Sequence, residues 1–201
     1  MVGIVANIGP NIGPNIGPNI GHNSGRVGEP GKSWRTHVWA KARSDLMPKL
    51  PIEVIRRRVA RAKELGLPYK TYAGFRAASG DDLVGFMFSS NALDLLRATD
   101  RVPTAKVAKL DALNDVRTVG LAHVPIALEH LTPPLQLAYA APKSLAPWVQ
   151  TRDVMRALFA QTGGPASRFV LVCNTDLERE WAQAGRMAGT LSAPDYFEAI
   201  T

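Results

Sequence analysis

Apolar residues recur at spacings of three and four through Ile52, Ile55, Val59 and Ala62, which places them on one face of a helix. Gly66 supplies a left-handed cap and Pro68 blocks continuation, so that helix ends near Leu65 and a second runs from Tyr69 to Gly80. Upstream, Trp34, Val38 and Ala42 share a face and predict a helix over residues 34–47, closed by Pro48 and Pro51. After Gly80 the pattern becomes an alternation. Residues 83–88 form a continuous apolar run, and a helix over 92–98 is predicted to follow. A helix over 104–114 precedes a second strand at 116–122, and a third strand covers 135–141. A long helix over 146–161 leads through Gly163-Gly164-Pro165 to a fourth strand, 169–173, and a helix over 177–188 closes the series. Short apolar strands between helices predict an α/β fold: an open, mostly parallel sheet of about four strands with helices on both faces, preceded by a small helical head.

The first 32 residues have a different grammar. The tetrad Ile-Gly-Pro-Asn repeats from Ile8 to Asn19 and degrades to Ile20-Gly21-His22-Asn23. Each Pro removes a backbone donor and little apolar surface offsets the cost of ordering, so a disordered leader is expected over 1–32. The expected organisation is therefore a leader (1–32), a basic three-helix module (33–80) and an α/β body (81–201). Gly28-Glu29-Pro30-Gly31-Lys32-Ser33 is similar to the phosphate loop of P-loop nucleotide hydrolases. Arg26 stands where the first glycine is needed, however, and no strand can form upstream. Ser33 is more simply the cap of the helix that follows.

Composition narrows the function classes. Apolar content of 46% suits a globular protein, and no apolar run approaches the ~20 residues of a membrane span. The N-terminus lacks the basic and apolar regions of a secretory signal, so cytoplasmic residence is expected, with no membrane partner. The single cysteine, Cys173, excludes an internal disulfide framework and a cysteine-rich metal site. Net charge is +7, and its distribution matters more than its total: residues 1–80 carry +9 and residues 81–201 carry −2. A positive end beside a near-neutral body implies a polyanionic partner, and nucleic acid is one such partner.

The spacing Ala62, Leu65-Gly66-Leu67, Tyr72, Phe75 resembles the signature of helix-turn-helix DNA-binding domains, over residues 52–79. The resemblance implies that the second helix enters the major groove, with Lys70, Thr71 and Arg76 reaching bases or phosphates because Tyr72 and Phe75 face inward. Arg56, Arg57, Arg58, Arg61 and Lys63 on the first helix would hold the backbone. The paired rings Tyr69 and Tyr72 depart from the pattern, where smaller residues are commoner. An ordinary helical hairpin with solvated arginines is the competing reading.

In an open parallel sheet, ligands bind beyond the carboxyl ends of the strands. Those ends carry Ser89-Ser90-Asn91, His123, Lys143-Ser144 and Asn174-Thr175-Asp176. Capping accounts for many of these: Thr175-x-x-Glu178 is a capping box, and Ser90 or Asn91 can cap a helix. The alternative is a site for a small phosphorylated ligand formed by Ser89, Ser90, Asn91, His123, Asn174, Thr175 and Asp176, with backbone amides at helix N-termini holding the phosphate. Ser89, His123 and Asp176 are also the residue types of a nucleophile, a base and an orienting acid, but no G-x-S-x-G elbow surrounds Ser89. Residues 170–176 with Ala184-Gly185 resemble the last acidic motif region of haloacid-dehalogenase-like phosphatases. Asn174 replaces the metal-binding aspartate and no D-x-D-x-T run occurs, so no role is carried over.

The leading expectation is a non-enzymatic nucleic-acid-binding protein, with DNA as partner, no cofactor and no metal, and a body that forms a homodimer or senses a ligand. A small Rossmann-like enzyme or phosphoryl-ligand binder, and an interaction adaptor, are the alternatives.

Overall fold

The computed structural model describes residues 50–198. The repeat leader, the P-loop-like run and the helix expected over 34–47 lie outside the described residues.

Two helices open this region, α1 (Ile52–Glu64) and α2 (Tyr69–Ser79). Between them Gly66 takes φ +63°, which a glycine reaches without strain, and Leu67 N–H closes the turn onto Ala62 O at 2.9 Å. The sheet then follows: β1 (Gly85–Ser89), β2 (Arg117–Ala122), β3 (Leu137–Ala140), β4 (Phe169–Cys173) and β5 (Gly189–Ser192). The intervening helices are α3 (Thr104–Asp111), α4 (Trp148–Thr162) and α5 (Asp176–Ala184), and α6 (Ala193–Phe197) follows β5. The strand order is β3-β2-β1-β4-β5 and every neighbouring pair is parallel. β1 and β4 form the centre, and all five residues of each are buried. This is why they read as unbroken apolar runs.

The pleat divides the core in two. Phe86, Phe88, Val170 and Val172 face one side, packed by Leu65, Leu67 and Tyr72 of the helix pair, Leu110 of α3 and Tyr196 of α6. Met87, Val119, Leu171 and Cys173 face the other, covered by Met155, Leu158 and Phe159 of α4 and Trp181 of α5. The fold is the expected α/β sheet with helices on both faces.

Some expectations differ in detail. The helix expected over 92–98 is a single tight turn, Asn91–Leu93, ended by Asp94 at φ +58°. The Asp100 carboxylate accepts from the amides of Leu96 (2.9 Å) and Arg97 (2.6 Å), which holds that stretch in a turn instead of a helix. The closing helix stops at Ala184, and the chain continues into a fifth strand that the pattern did not suggest.

Nor does packing change at residue 80, where a boundary between head and body was expected. Ala62, Leu65, Leu67 and Tyr72 are each at most 2% exposed and share one core cluster with the phenylalanines of β1. α2 also leans on the far edge of the sheet: a Cβ added at Gly189, where φ is +153°, would meet the Phe75 ring at 2.8 Å. The described part of the expected basic module is thus a layer of the α/β core.

Candidate functional site

On α1 the charged residues separate by environment. Arg56 pairs with Glu53 at 2.6 Å, and both are exposed. Arg57 and Lys63 are exposed and make no ion pair among the described residues. Arg61 turns back onto the body: its guanidinium donates to Leu83 O at 3.1 Å and pairs with Glu64 at 2.7 Å. On α2, Tyr72 and Phe75 face the core as expected, Lys70 is exposed and Thr71 is half-buried. Arg76 is held by Asp82 at 3.3 Å, and Asp82 also accepts from the Tyr72 hydroxyl at 2.7 Å. Burial first, then that hydrogen bond, raises the Tyr72 phenol above its ordinary value.

Four of these arginines nevertheless border one space. Arg57, Arg58, Arg61 and Arg76 line one cavity of about 250 Å³ with Tyr72 and Asp82. Arg58 Nε is shut from solvent and has no hydrogen-bond partner among the described residues. Glu64 and Asp82 pair with Arg61 and Arg76, so the unmatched positive charge of this cavity belongs to Arg57 and Arg58. The outward face of α2, by contrast, carries Tyr69, Lys70, Gly74, Ala77 and Ala78. Lys70 is its one charged group among the described residues.

A second constellation sits at the carboxyl ends of β1, β2 and β4. Its centre is Glu178, which is fully buried. His123 Nε2 and Asn91 Nδ2 each lie 2.9 Å from Oε1. Oε2 accepts from the backbone amides of Asn174 (2.9 Å) and Thr175 (3.0 Å). Burial by itself would raise the Glu178 pKa. The donors from His123, Asn174, Ser89 and Thr175 outweigh it and hold the group down at about 2.

The remaining expected residues serve this same network. Ser89 Oγ accepts from Ala92 N–H at 3.1 Å, and Ser90 Oγ accepts from His123 N–H at 3.2 Å. Asn174 ties Asn91 O to the amide of Ala193. Thr175 and Glu178 form the expected capping box. Replacing Thr175 with Ala is expected to cost about 1 kcal/mol in urea denaturation, since the N3 amide loses its acceptor while Glu178 keeps its own donors.

Asp176 stands apart. Its side chain is 94% exposed and pairs with Arg179 at 3.2 Å, so Ser89, His123 and Asp176 are not arranged as nucleophile, base and acid. Glu178 occupies the place that the sequence suggested for Asp176, facing the imidazole. Its position in the capping box was readable, whereas its bonds to Asn91 and His123 cross 87 and 55 residues of chain. Cys173 is buried beside it, and burial pushes the thiol up to about 11. No group of three or more His, Cys, Asp or Glu among the described residues is placed to hold a metal ion. Among them no helix is long and apolar enough to cross a membrane.

The fold and these two constellations define a doubly wound α/β protein with an arginine-lined cavity on one face and a filled polar network at its carboxyl edge. Comparison with protein-family models, with curated proteins and with solved structures returned no match.

Proposed function

We propose that the protein is a non-enzymatic nucleic-acid-binding protein that grips the phosphate backbone through α1. The observation that carries this reading is that Arg57, Arg58, Arg61 and Arg76 line one cavity, where Glu64 and Asp82 occupy Arg61 and Arg76 and no carboxylate among the described residues pairs with Arg57 or Arg58. A guanidinium fork matches phosphate oxygens in pairs. Arg57, Lys63 and Lys70 extend the positive surface outward. The helix-turn-helix resemblance adds a role for α2, but Lys70 alone among its charged groups faces out, because Asp82 already engages Arg76. Backbone contact therefore dominates over base reading in this proposal, and affinity should depend little on DNA sequence.

A salt titration of fluorescence anisotropy with a labelled DNA duplex tests it. Each phosphate neutralised contributes a slope of about −0.9 in log affinity against log salt, so about three contacts give a slope near −3. Arg57→Ala combined with Arg58→Ala is expected to flatten that slope by about 2 while the melting temperature stays close to that of the parent. Absence of binding at low salt, or a slope indifferent to the two substitutions, would reject the proposal.

A further inference from the structure

On the opposite face from the arginines, a cavity of about 450 Å³ opens between the carboxyl end of β2, the loop after β3, and helices α4 and α5. It borders the Glu178 network, and Asn91, His123 and Thr175 belong to both. His123 forms the shared wall: its ring stacks on Trp181 with centroids 5.0 Å apart, and its Nε2 is committed to Glu178.

Two independent features distinguish this cavity from a surface dent. The first is the start of α4. Its N-cap is Pro147, whose side chain offers no acceptor, and no acidic residue stands in its first turn. The amides of Trp148, Val149 and Gln150 therefore have no intrahelical carbonyl, and the positive end of a 15-residue helix goes uncompensated. α2 and α3 also begin after a proline with no side-chain cap and no acid in the first turn, so what sets the start of α4 apart is the cavity it adjoins. The second is Thr151, which lines the cavity and is 6% exposed. Its hydroxyl makes no hydrogen bond within the described residues. Thr162, at the other end of the same helix, bonds back to Leu158 O at 2.9 Å. Thr151 is buried except where its hydroxyl opens on the cavity, and there it can donate to a ligand held beside the helix start.

The rest of the lining says what kind of acceptor. Lys143 and Ser144 stand on the loop that leads into α4 and add a cation and a hydroxyl. Glu180 faces the same space from α5, with Glu178 beyond the His123 wall, so accumulated negative charge in the cavity is penalised. Because a carboxylate only accepts, Nε2 of His123 must donate to Glu178, and in the neutral ring Nδ1 is left as an acceptor. Val124, Leu145 and Leu177, all exposed, form an apolar rim. Leu145 holds φ +62°, a backbone state that costs a branched residue free energy.

We infer that this cavity binds a small organic monoanion, a carboxylate with an apolar or aromatic remainder. The carboxylate sits at the start of α4 between Lys143, Ser144 and Thr151, and the remainder lies against the rim of Val124, Leu145 and Leu177. The inference does not rest on the nucleic-acid reading, which concerns the other face of the sheet.

The test is an NMR titration of the full chain with acetate, benzoate, indole-3-acetate and octanoate, each paired with its neutral amide. Inorganic phosphate serves as the dianion control. Expected are saturable shifts of the Thr151 amide and the Trp181 indole with at least one of the three larger acids, and none with its amide. Thr151→Val keeps shape and should preserve the melting temperature while weakening that acid about 2- to 10-fold, the worth of one hydrogen bond. Lys143→Ala should weaken it further, and Glu180→Gln should strengthen it. Silence from every acid, equal binding of acid and amide, tighter binding of phosphate, or a Thr151→Val variant that binds like the parent would each overturn the inference.

Discussion

Glu178→Gln is expected to lower the unfolding free energy at neutral pH by about 3 kcal/mol, the equivalent of moving a carboxyl pKa from 4.5 to about 2. The native state binds fewer protons at this site than the unfolded chain does between those values. The increment is therefore complete above the unfolded pKa of 4.5 and is lost as pH falls toward about 2. Urea denaturation of parent and variant at pH 7, 5, 4, 3 and 2.5 should give two curves that approach each other on acidification. Curves that stay parallel would show that the carboxylate is not what the network is built around. The effect is large because the donors remain when the charge goes. His123, Asn91 and two backbone amides would still face a group that, as an amide, offers one good acceptor where the carboxylate offered two.

The second large effect is expected at Tyr72. Tyr72→Ala removes a ring that is 1% exposed and the hydroxyl bonded to Asp82, and should cost about 3–5 kcal/mol. The way it melts is more informative than the magnitude. Because Tyr72 shares its core with Phe86 and Phe88, the loss should lower a single cooperative transition followed by near-UV and far-UV circular dichroism alike. If the helix pair melted alone and left the sheet intact, residues 52–79 would be a separate domain after all. Tyr72→Phe, which keeps the ring, should recover most of the loss.

The sequence was legible where burial is total. β1 and β4 are covered on both faces, so nearly every residue had to be apolar, and the runs at 83–88 and 169–173 could be read directly. β5 was hidden for the opposite reason. It has four residues, Gly-Thr-Leu-Ser, all half-buried at an edge, with one strongly apolar side chain among them. The run from Ala92 to Ala98 has helical spacing, but a carboxylate eight residues beyond Ala92 captures the amides that would have extended it. At the sheet edge, the polar residues themselves were foreseen, and so was the Thr175 capping box, whereas the cap expected from Ser90 or Asn91 is absent and Ser89 takes the Ala92 amide instead. That they close around one buried glutamate depends on bringing β1, β2 and β4 side by side, which no local spacing encodes. Thr151 was invisible because a threonine inside a helix normally bonds to its own turn. The arginines were found by count, but their fates were not: Asp82 and Leu83 O, which take Arg76 and Arg61, lie beyond the helix pair.

The alternation of Phe86, Met87 and Phe88 has a consequence for how this molecule tolerates change. Consecutive residues of one strand belong to different cores, so among the described residues Tyr72 and Trp181 sit in clusters that share no apolar side chain. Energetic costs of altering the two should simply sum. The sheet works as a partition wall: substitutions can retune the chemistry of one room while the furniture of the other stays where it is.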